Sequence, residues 1–274
     1  MTGLDGSTAD GQRGEFAAER HQRILAVLAE RGRARTSELA ALLDVAEPTI
    51  RRDVALLDRR GLLTRTHGGA IARRAQLEPD LPVRIARNAA AKTAIARACV
   101  AMIGDGDAIY LDAGSTTLRI AEVLVEGLAD DTPARRNVNV LTNAVPVAQR
   151  LAQHPAVRHT LLGGTYRPAG ACVVGPLALG SLQTFAVNTA FIGVTGVVDR
   201  GFTVADLAEA QLKAAVMRPA RRVVVPMDLS KLGAEDFAHL CALDAVTTLV
   251  VDRVHQGVAR LAAQAGIELV VAEG

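Results

Sequence analysis

Short apolar runs alternate with helical segments over the larger, C-terminal part of the chain, and this alternation constrains the fold more than any other feature. Several of the runs are apolar throughout, as strands buried on both faces are. An α/β domain is therefore expected, with a mostly parallel sheet wrapped by helices. The predicted strands are 108–112, 138–142, 160–162, 190–194, 223–227, 249–252 and 269–271, and the predicted helices are 89–103, 117–128, 146–154, 176–185, 205–217 and 254–265.

Composition excludes several protein classes. Of the 274 residues, 50% are hydrophobic, and 31 Lys and Arg face 29 Asp and Glu, so the chain is not expected to be disordered. The length suggests about two domains. Three scattered cysteines without CxxC spacing, and no signal-peptide pattern in the first residues, predict a protein of the reducing cytoplasm. No run approaches the ~18 apolar residues that span a bilayer, so no membrane partner is expected.

The N-terminal part has a different layout, in which helices are followed by a hairpin. A first helix ends near Gly32, Thr36-Ser37 caps a second helix, and Pro48 lies in the first turn of a third. The hairpin is expected to have strands at 62–66 and 70–72. This layout predicts a winged helix-turn-helix. The apolar faces of its helices are expected at Phe16, Ile24, Leu25 and Leu28, at Leu39, Leu42 and Leu43, and at Ile50, Val54 and Leu57.

The third helix of this layout would enter the major groove of DNA. Thr49, Arg51 and Arg52 lie off its apolar face, where arginine suits both guanine edges and phosphates. Residues 49–74 carry seven arginines against two aspartates, which favours a polyanion partner. Two alternatives stay open at this point, namely a solvated basic face and a helical module for protein contact.

The hairpin offers a second contact with nucleic acid. Arg65 and the turn of His67, Gly68 and Gly69 can lie along the DNA backbone or in the minor groove. Glycines at such a turn allow main-chain N–H groups to approach phosphates closely.

The N-terminal motifs resemble the DNA-binding domain of the DeoR family of bacterial transcription regulators. The resemblance rests on Thr49-Ile-Arg-Arg-Asp53 and on the His67-Gly-Gly-Ala70 wing, together with His21-Gln-Arg-Ile-Leu25. A departure at Val45-Ala-Glu-Pro48, where the family more often has Val-Ser and no proline, bears on operator preference but leaves the motif intact. The resemblance implies a double-stranded DNA operator as partner and contacts from Ser37, Thr49, Arg51, Arg52, Arg65, His67, Gly68 and Gly69.

Small polar residues follow three of the predicted strands in the larger domain. Asp112–Thr117 ends one strand and opens a helix, Thr142 and Asn143 end the next, and Gly163 and Gly164 end a third. Ligands bind at the carboxyl ends of parallel strands, and a helix N-terminus with hydroxyl side chains suits phosphate. For each loop, ordinary turn chemistry remains the alternative.

Lysine is rare in this arginine-rich chain. Only Lys92, Lys213 and Lys231 occur, so these positions are candidates for needing a compact ammonium group. Glu209 and Lys213 lie four residues apart on a predicted helix. They are either a surface ion pair worth ~0.3–0.5 kcal/mol, or a carboxylate and a cation that face a ligand together.

The strand-end loops and the helix with Glu209 and Lys213 look like the sensor domain of the DeoR family. Together with the N-terminal motifs, the resemblance to this family covers about residues 18–235. It implies a Rossmann-like α/β fold similar to ribose-5-phosphate isomerase, and an effector that is a phosphorylated sugar or a related metabolite. Residues 114–117 would hold the phosphate. The implied effector-binding residues are Asp112, Gly114, Ser115, Thr116, Thr117, Thr142, Asn143, Gly163, Gly164, Glu209, Lys213 and Lys231, and Lys92 also falls on a family position.

A DNA-binding repressor of sugar or carbon metabolism genes, acting as a homodimer or homotetramer, is therefore predicted. The expected organisation is a tail at 1–17, the winged helix-turn-helix at 18–73, a linker at 74–88 and the sensor domain at 89–274. No cofactor is expected, and the six histidines lack metal-ligand spacing. The alternatives are a sugar-phosphate isomerase, with Glu209 as the carboxylate base and Lys213 as the electrophile for the enediolate, and a protein-binding scaffold.

Overall fold

The computed structural model describes residues 20–28, 32–59, 62–66, 68–72, 79–129 and 137–272. The chain divides into an N-terminal unit, Met1–Leu77, and a C-terminal unit, Glu78–Gly274. The predicted tail, Phe16 and His67 lie outside the described residues.

Three helices and a small sheet form the N-terminal unit. Strands β1 and β2 both pair antiparallel with β3, which gives the order β1-β3-β2. The predicted winged helix-turn-helix is confirmed, with β1 as a strand that the sequence pattern did not predict. Its elements are α1 (20–28), β1 (Arg33–Arg35), α2 (Thr36–Leu43), α3 (Glu47–Arg59), β2 (Leu63–Thr66) and β3 (Gly69–Ala72).

Two details of α2 differ from the prediction. Leu42 is 47% exposed, because the buried face of α2 consists of Thr36, Leu39, Ala40 and Leu43, and Leu42 lies outside it. The predicted cap is also wrong in detail. The Thr36 hydroxyl donates to the Gly68 carbonyl oxygen at 3.2 Å, and the helix begins after Arg35.

Asp53 of α3 is buried and connects this helix to α1. Its carboxylate accepts hydrogen bonds from Arg20 Nε at 2.6 Å and Nη2 at 3.2 Å, and Oδ1 lies 2.9 Å from His21 Nε2. Burial raises the pKa of Asp53, but the hydrogen bonds from Arg20 and His21 outweigh it, so the pKa lies below its ordinary value of 3.8. The charged form therefore stabilises the unit above that ordinary pKa, and this contribution is lost as the pH falls through the lower pKa of the folded state.

Asp53→Asn is expected to speed amide hydrogen exchange in α1 and α3 at neutral pH by roughly tenfold or more, because the neutral amide loses charge-assisted hydrogen bonds of ~1.5–3 kcal/mol. The difference from wild type should shrink as the pH falls below ~3.8. Asp44→Asn is a matched control, since Asp44 is exposed and asparagine tolerates its left-handed backbone, φ 52°. Equal exchange in the two variants would contradict this role for Asp53.

A seven-stranded parallel sheet organises the C-terminal unit, in the order β15-β14-β12-β9-β4-β5-β6. Each of the seven predicted strands corresponds to one strand of this sheet, and each predicted helix has its counterpart. The α/β fold class is therefore confirmed. The elements are α4 (Leu81–Ala86), α5 (Ala89–Ala101), β4 (Ala108–Leu111), α6 (Ser115–Ala129), β5 (Asn139–Thr142), α7 (Val145–Leu151), β6 (Arg158–Leu161), β7 (Thr165–Arg167), β8 (Cys172–Val174), α8 (Pro176–Leu182), β9 (Thr189–Phe191), β10 (Gly196–Val198), β11 (Gly201–Val204), α9 (Leu207–Met217), β12 (Arg222–Met227), β13 (Ala238–Cys241), β14 (Thr248–Val251), α10 (Gln256–Ala265) and β15 (Glu268–Val271).

Three parts of the unit were not predicted. Strands β7 and β8 form a hairpin, and β10, β11 and β13 form a separate antiparallel sheet. Apolar runs that alternate with helical segments predicted the main sheet, whereas the hairpins β7–β8 and β10–β11 have no helix between their strands. Residues 81–86 of the predicted linker form α4, which belongs to the C-terminal unit.

The core of the C-terminal unit is the sheet itself, with Ile109, Leu111, Phe191 and Val224 fully buried. Because the seven strands are parallel, their carboxyl ends meet at one edge of the sheet, and the predicted site loops follow β4, β5 and β6 there. None of the helices that the structure describes is both long and apolar enough to cross a membrane.

Candidate functional site

Helix α3 presents one buried and one exposed face. Ile50, Val54 and Leu57 are buried, whereas the side chains of Arg51 and Arg52 are exposed. Arg51 Nη2 pairs with Glu47 Oε2 at 3.0 Å. Within the described ranges, the Arg52 side chain makes no hydrogen bond or ion pair. Thr49 is half-buried at the start of the helix.

The wing is tied to both helices of the helix-turn-helix. The amide and hydroxyl of Thr36 donate to the Gly68 carbonyl oxygen at 2.9 and 3.2 Å, which brings the exposed Ser37 close to the wing turn. The amide of Arg65 donates to Asp58 Oδ1 at the end of α3, at 3.2 Å. The side chain of Arg65 is exposed.

The two glycines of the wing differ in the space that a side chain would have. A Cβ atom at Gly69 would lie 2.1 Å from the Ala34 carbonyl oxygen, so the close approach of β1 requires glycine there. A Cβ atom at Gly68 would meet nothing within 4 Å. Gly69 therefore packs within the unit, and the Gly68 side of the turn faces outward.

Both aspartates of the basic segment 49–74 have partners within the N-terminal unit. Asp53 is buried against Arg20 and His21, and Asp58 accepts the Arg65 amide, so both aspartates of the basic segment are engaged. The exposed arginines among the described residues of that segment are Arg51, Arg52, Arg59 and Arg65.

Asp112 lies at the centre of the sheet edge in the C-terminal unit. It follows β4 and is fully buried. Its Oδ2 accepts the Gly193 amide at 2.9 Å and a hydrogen bond from Lys213 Nζ. Its Oδ1 is buried and has no hydrogen-bond partner among the described residues. A buried carboxylate oxygen without a partner is costly, and a hydroxyl donor from a ligand would satisfy it.

Glu209 and Lys213 are both buried, so the surface ion pair considered from their spacing is wrong. Lys213 is 2% exposed, and its Nζ lies 3.6 Å from Glu209 Oε2. Burial lowers the pKa of Lys213, but the charges of Asp112 and Glu209 outweigh it, so the pKa lies above 10.5. The ammonium group therefore stays charged between two carboxylates.

Arg167 completes this ion network, and the sequence reasoning missed it. From β7, its Nη1 donates to Glu209 Oε1 at 2.7 Å and its Nε lies 3.3 Å from Asp206 Oδ2. Nothing in the sequence singles out Arg167 among so many arginines. Because Glu209 is engaged by both Arg167 and Lys213, its carboxylate is held in an ion network and is not poised as a base.

The loop 114–117 combines main-chain and side-chain donors. The first hydrogen bond of α6 runs from the Leu118 amide to the Gly114 carbonyl at 3.0 Å, so the preceding amides of the first turn lack intrahelical acceptors. The Thr117 hydroxyl is buried and donates to the Gly114 carbonyl. Ser115 and Thr116 are half-exposed, and their hydroxyls make no hydrogen bond within the described part of the chain. Thr117 thus shapes the loop, and Ser115 and Thr116 can meet a ligand.

Thr142 and Asn143 lie at the predicted edge, but their side chains already have partners. The Thr142 hydroxyl donates to the Leu111 carbonyl at 2.6 Å. Asn143 accepts from the Tyr110 hydroxyl at 2.9 Å and donates to the Val173 carbonyl at 3.1 Å. They fix β4, β5 and the hairpin relative to one another.

The two glycines after β6 differ in the same way as those of the wing. A Cβ atom at Gly164 would lie 2.6 Å from the Val174 carbonyl oxygen, so the hairpin packs against it. Gly163 has open space around its Cα atom and can approach a ligand.

A second group of charges, the cation cluster, consists of Arg84, Arg87, Lys92 and Lys231, with Asp228 as its carboxylate. Asp228 Oδ1 accepts hydrogen bonds from Asn88 Nδ2 and the Ser230 amide, both at 3.0 Å. Burial lowers the pKa values of Lys92 and Lys231; Asp228 opposes this, and the neighbouring cations add to it. An anion would relieve this crowding of positive charge.

Helix α4 connects the cation cluster to the Glu209 network. Arg84 Nη2 donates to the Ala169 carbonyl at 3.0 Å, in the turn between β7 and β8. A Cβ atom at Gly170 of the same turn would lie 2.7 Å from Glu209 Oε1. Both groups of predicted site residues therefore belong to one continuous set of contacts in the C-terminal unit. The described residues contain no group of three or more His, Cys, Asp or Glu side chains placed to hold a metal ion.

Two family models match the chain, and together they cover most of it. The DeoR-like helix-turn-helix domain matches residues 20–76, and the DeoR C terminal sensor domain matches residues 87–253. The HTH-type transcriptional regulator FruR of Bacillus subtilis is 32% identical over 236 residues, 85% of this chain and 90% of that protein. The HTH-type transcriptional repressor GlcR of the same organism is 30% identical over 260 residues, 94% and 97% of the two chains.

Among solved structures, ribose 5-phosphate isomerase A of Methanocaldococcus jannaschii is similar over 53% of this chain and 55% of its own, with 20% identity and a TM-score of 0.39. The α/β assignment rests on the sheet topology of this protein and not on this similarity.

Proposed function

Because this chain belongs to the DeoR family of transcriptional regulators, we propose that it represses genes of sugar or carbon metabolism in the cytoplasm, and that a phosphorylated sugar releases it from its operator. The matched families and relatives are regulators, so the chain is a DNA-binding regulator of transcription and not an enzyme.

Operator binding is assigned to α3 and the wing. Arg52, with Arg51 and Thr49, would read base edges in the major groove, where arginine binds guanine with two hydrogen bonds. Ser37, Arg65 and the Gly68 turn would contact phosphates. Helix-turn-helix proteins commonly read paired half-sites, so a homodimer or homotetramer is part of the proposal.

The effector assignment rests on the loop 112–117, which offers both a hydrogen-bond acceptor and hydrogen-bond donors within six residues. Asp112 Oδ1 is a buried acceptor without a partner and suits a sugar hydroxyl. The α6 N-terminus, with the hydroxyls of Ser115 and Thr116, suits a phosphate. Lys231 and Lys92 of the cation cluster would add positive charge to the phosphate site.

Release from the operator requires that the effector binds the DNA-competent and DNA-incompetent states with different affinities. A coupling free energy of ~1–3 kcal/mol is typical and corresponds to a change in operator affinity of roughly 5- to 150-fold. By reciprocity, operator DNA should weaken effector binding by the same factor.

Thr116→Val is expected to raise the concentration of sugar phosphate that half-releases the operator by roughly tenfold to a hundredfold, because a hydrogen bond to a charged group is worth ~1.5–3 kcal/mol. Operator affinity without effector should stay unchanged. Thr184→Val is the matched control, since this exposed threonine follows α8 and lies outside the loop. A titration of the operator complex, followed by fluorescence anisotropy, measures both variants, and a wild-type response from Thr116→Val would place the phosphate elsewhere.

A further inference from the structure

Helix α4 is the first element of the C-terminal unit, and apolar burial does not fix it in place. None of its residues is buried, and Val83 and Ile85 are 61% and 40% exposed. It begins at Leu81, only a few residues beyond the end of the N-terminal unit at Leu77. Polar contacts therefore contribute to its position, and in the sequence α4 closely follows the DNA-binding unit.

Two side chains contribute polar contacts to α4. Arg84 Nη2 donates to the Ala169 carbonyl at 3.0 Å. Lys92 Nζ, from α5, donates to the carbonyl oxygens of Arg84 and Arg87 at the C-terminal end of α4. An ammonium at a helix C-terminus satisfies carbonyls that lack intrahelical partners and also interacts favourably with the helix dipole.

Lys92 is also one of the residues proposed to add positive charge at the effector phosphate. It is 6% exposed, and Lys231, Arg84 and Arg87 surround it with positive charge that Asp228 only partly offsets. Carbonyl oxygens are neutral acceptors, whereas a phosphate is charged and forms stronger hydrogen bonds with an ammonium. A phosphate in the cation cluster would therefore compete with α4 for the Lys92 ammonium.

We propose that Lys92 is a switch between two acceptors: without effector it holds the C-terminal end of α4, and with effector it turns to the phosphate and releases α4. The inference rests on the proposed function and explains how that site reaches the DNA-binding unit. The effector binds the released state more tightly, because only there are all the Lys92 donors available. This difference in affinity is the coupling that release from the operator requires.

Hydrogen exchange on the full chain, with inorganic phosphate as the probe, tests the switch. The amides of Arg84 and Arg87 donate to the carbonyls of Asp80 and Val83 within α4 and report on this helix. Phosphate at saturation is expected to speed their exchange by roughly tenfold or more, and the buried strand β12 should stay unchanged. Slower or unchanged exchange in α4, or no binding of phosphate, would overturn the proposal.

Lys92→Met tests the other half of the switch without any ligand. In this variant the α4 amides should exchange as fast as those of the phosphate-bound wild type. Added phosphate should cause no further change. Exchange in β12 shows whether the variant is folded, and the wild-type measurement stands even if it is not. Lys231→Met is the matched control: the Lys231 side chain makes no hydrogen bond within the described ranges, so this variant should bind phosphate more weakly but keep α4 protected.

The proposed function and the Lys92 switch would be contradicted by different results. If sugar phosphates never change operator affinity, the proposed function fails, whatever the exchange of α4. If they do change it, but α4 in Lys92→Met exchanges at the wild-type rate, only the switch fails.

Discussion

Replacing Lys213 with methionine is expected to lower the free energy of unfolding of the C-terminal unit by about 3–5 kcal/mol. Methionine keeps the length of the side chain but removes the charge between Asp112 and Glu209. Both carboxylates are buried, so Asp112 would be left without its compensating cation, and Glu209 would keep its ion pair with Arg167. The same substitution in a surface ion pair would cost no more than ~1 kcal/mol.

Urea unfolding at neutral pH, followed by circular dichroism, measures this loss. The double variant Lys213→Met with Asp112→Asn should recover part of it, because one uncompensated charge is removed. A loss below ~1 kcal/mol in the single variant would contradict the buried network. Lys213 is consequently a poor probe of ligand binding, and Thr116, which is half-exposed and outside the network, is the better one.

Arg52→Ala is expected to weaken operator binding by roughly tenfold to a hundredfold, the effect of losing a contact to a base edge of ~1–3 kcal/mol. Arg52 is preferred to Arg51, because Arg51 already pairs with Glu47. Effector binding to the C-terminal unit should not change. Arg97→Ala is the matched control, since Arg97 is an exposed arginine on α5 of the other unit.

The salt dependence of the Arg52 variant separates base contacts from phosphate contacts. Loss of a base contact weakens the operator complex more than the complex with unrelated DNA, whereas loss of a phosphate contact weakens both equally and lowers the salt slope by about 1. Operator affinity that survives Arg52→Ala, or that falls equally in Arg97→Ala, would contradict the assignment of α3 as the recognition helix.

The main sheet and the winged helix-turn-helix were predictable because their patterns are strong. Strands such as β12 and β14 are apolar on both faces, and Ile50, Val54 and Leu57 mark a helix by their spacing. The hairpin of β7 and β8 was not predicted, since no helix separates its two strands and β7 lacks an apolar run. Arg167 was missed for this reason, although it binds Glu209.

Burial was the property that the sequence specified least. A Glu and a Lys four residues apart have the same spacing on an exposed helix and in a core, so only the fold shows that Glu209 and Lys213 are buried. The charge count of the basic segment includes Asp53, but it does not show that this residue is buried against Arg20 and His21. The hydrogen bonds of the Asn143 side chain with Tyr110 and Val173 also depend on the fold, and its contact with a ligand stays a prediction.

The protein is proposed to bind an operator and to leave it when a sugar phosphate binds. Fluorescence anisotropy with the DNA upstream of its own gene, at several salt concentrations and with a panel of sugar phosphates, measures both properties. We expect sequence-specific binding that weakens steeply with salt and that at least one sugar phosphate weakens by roughly 5- to 150-fold. Binding that hardly changes with salt, or that no sugar phosphate alters, would contradict it.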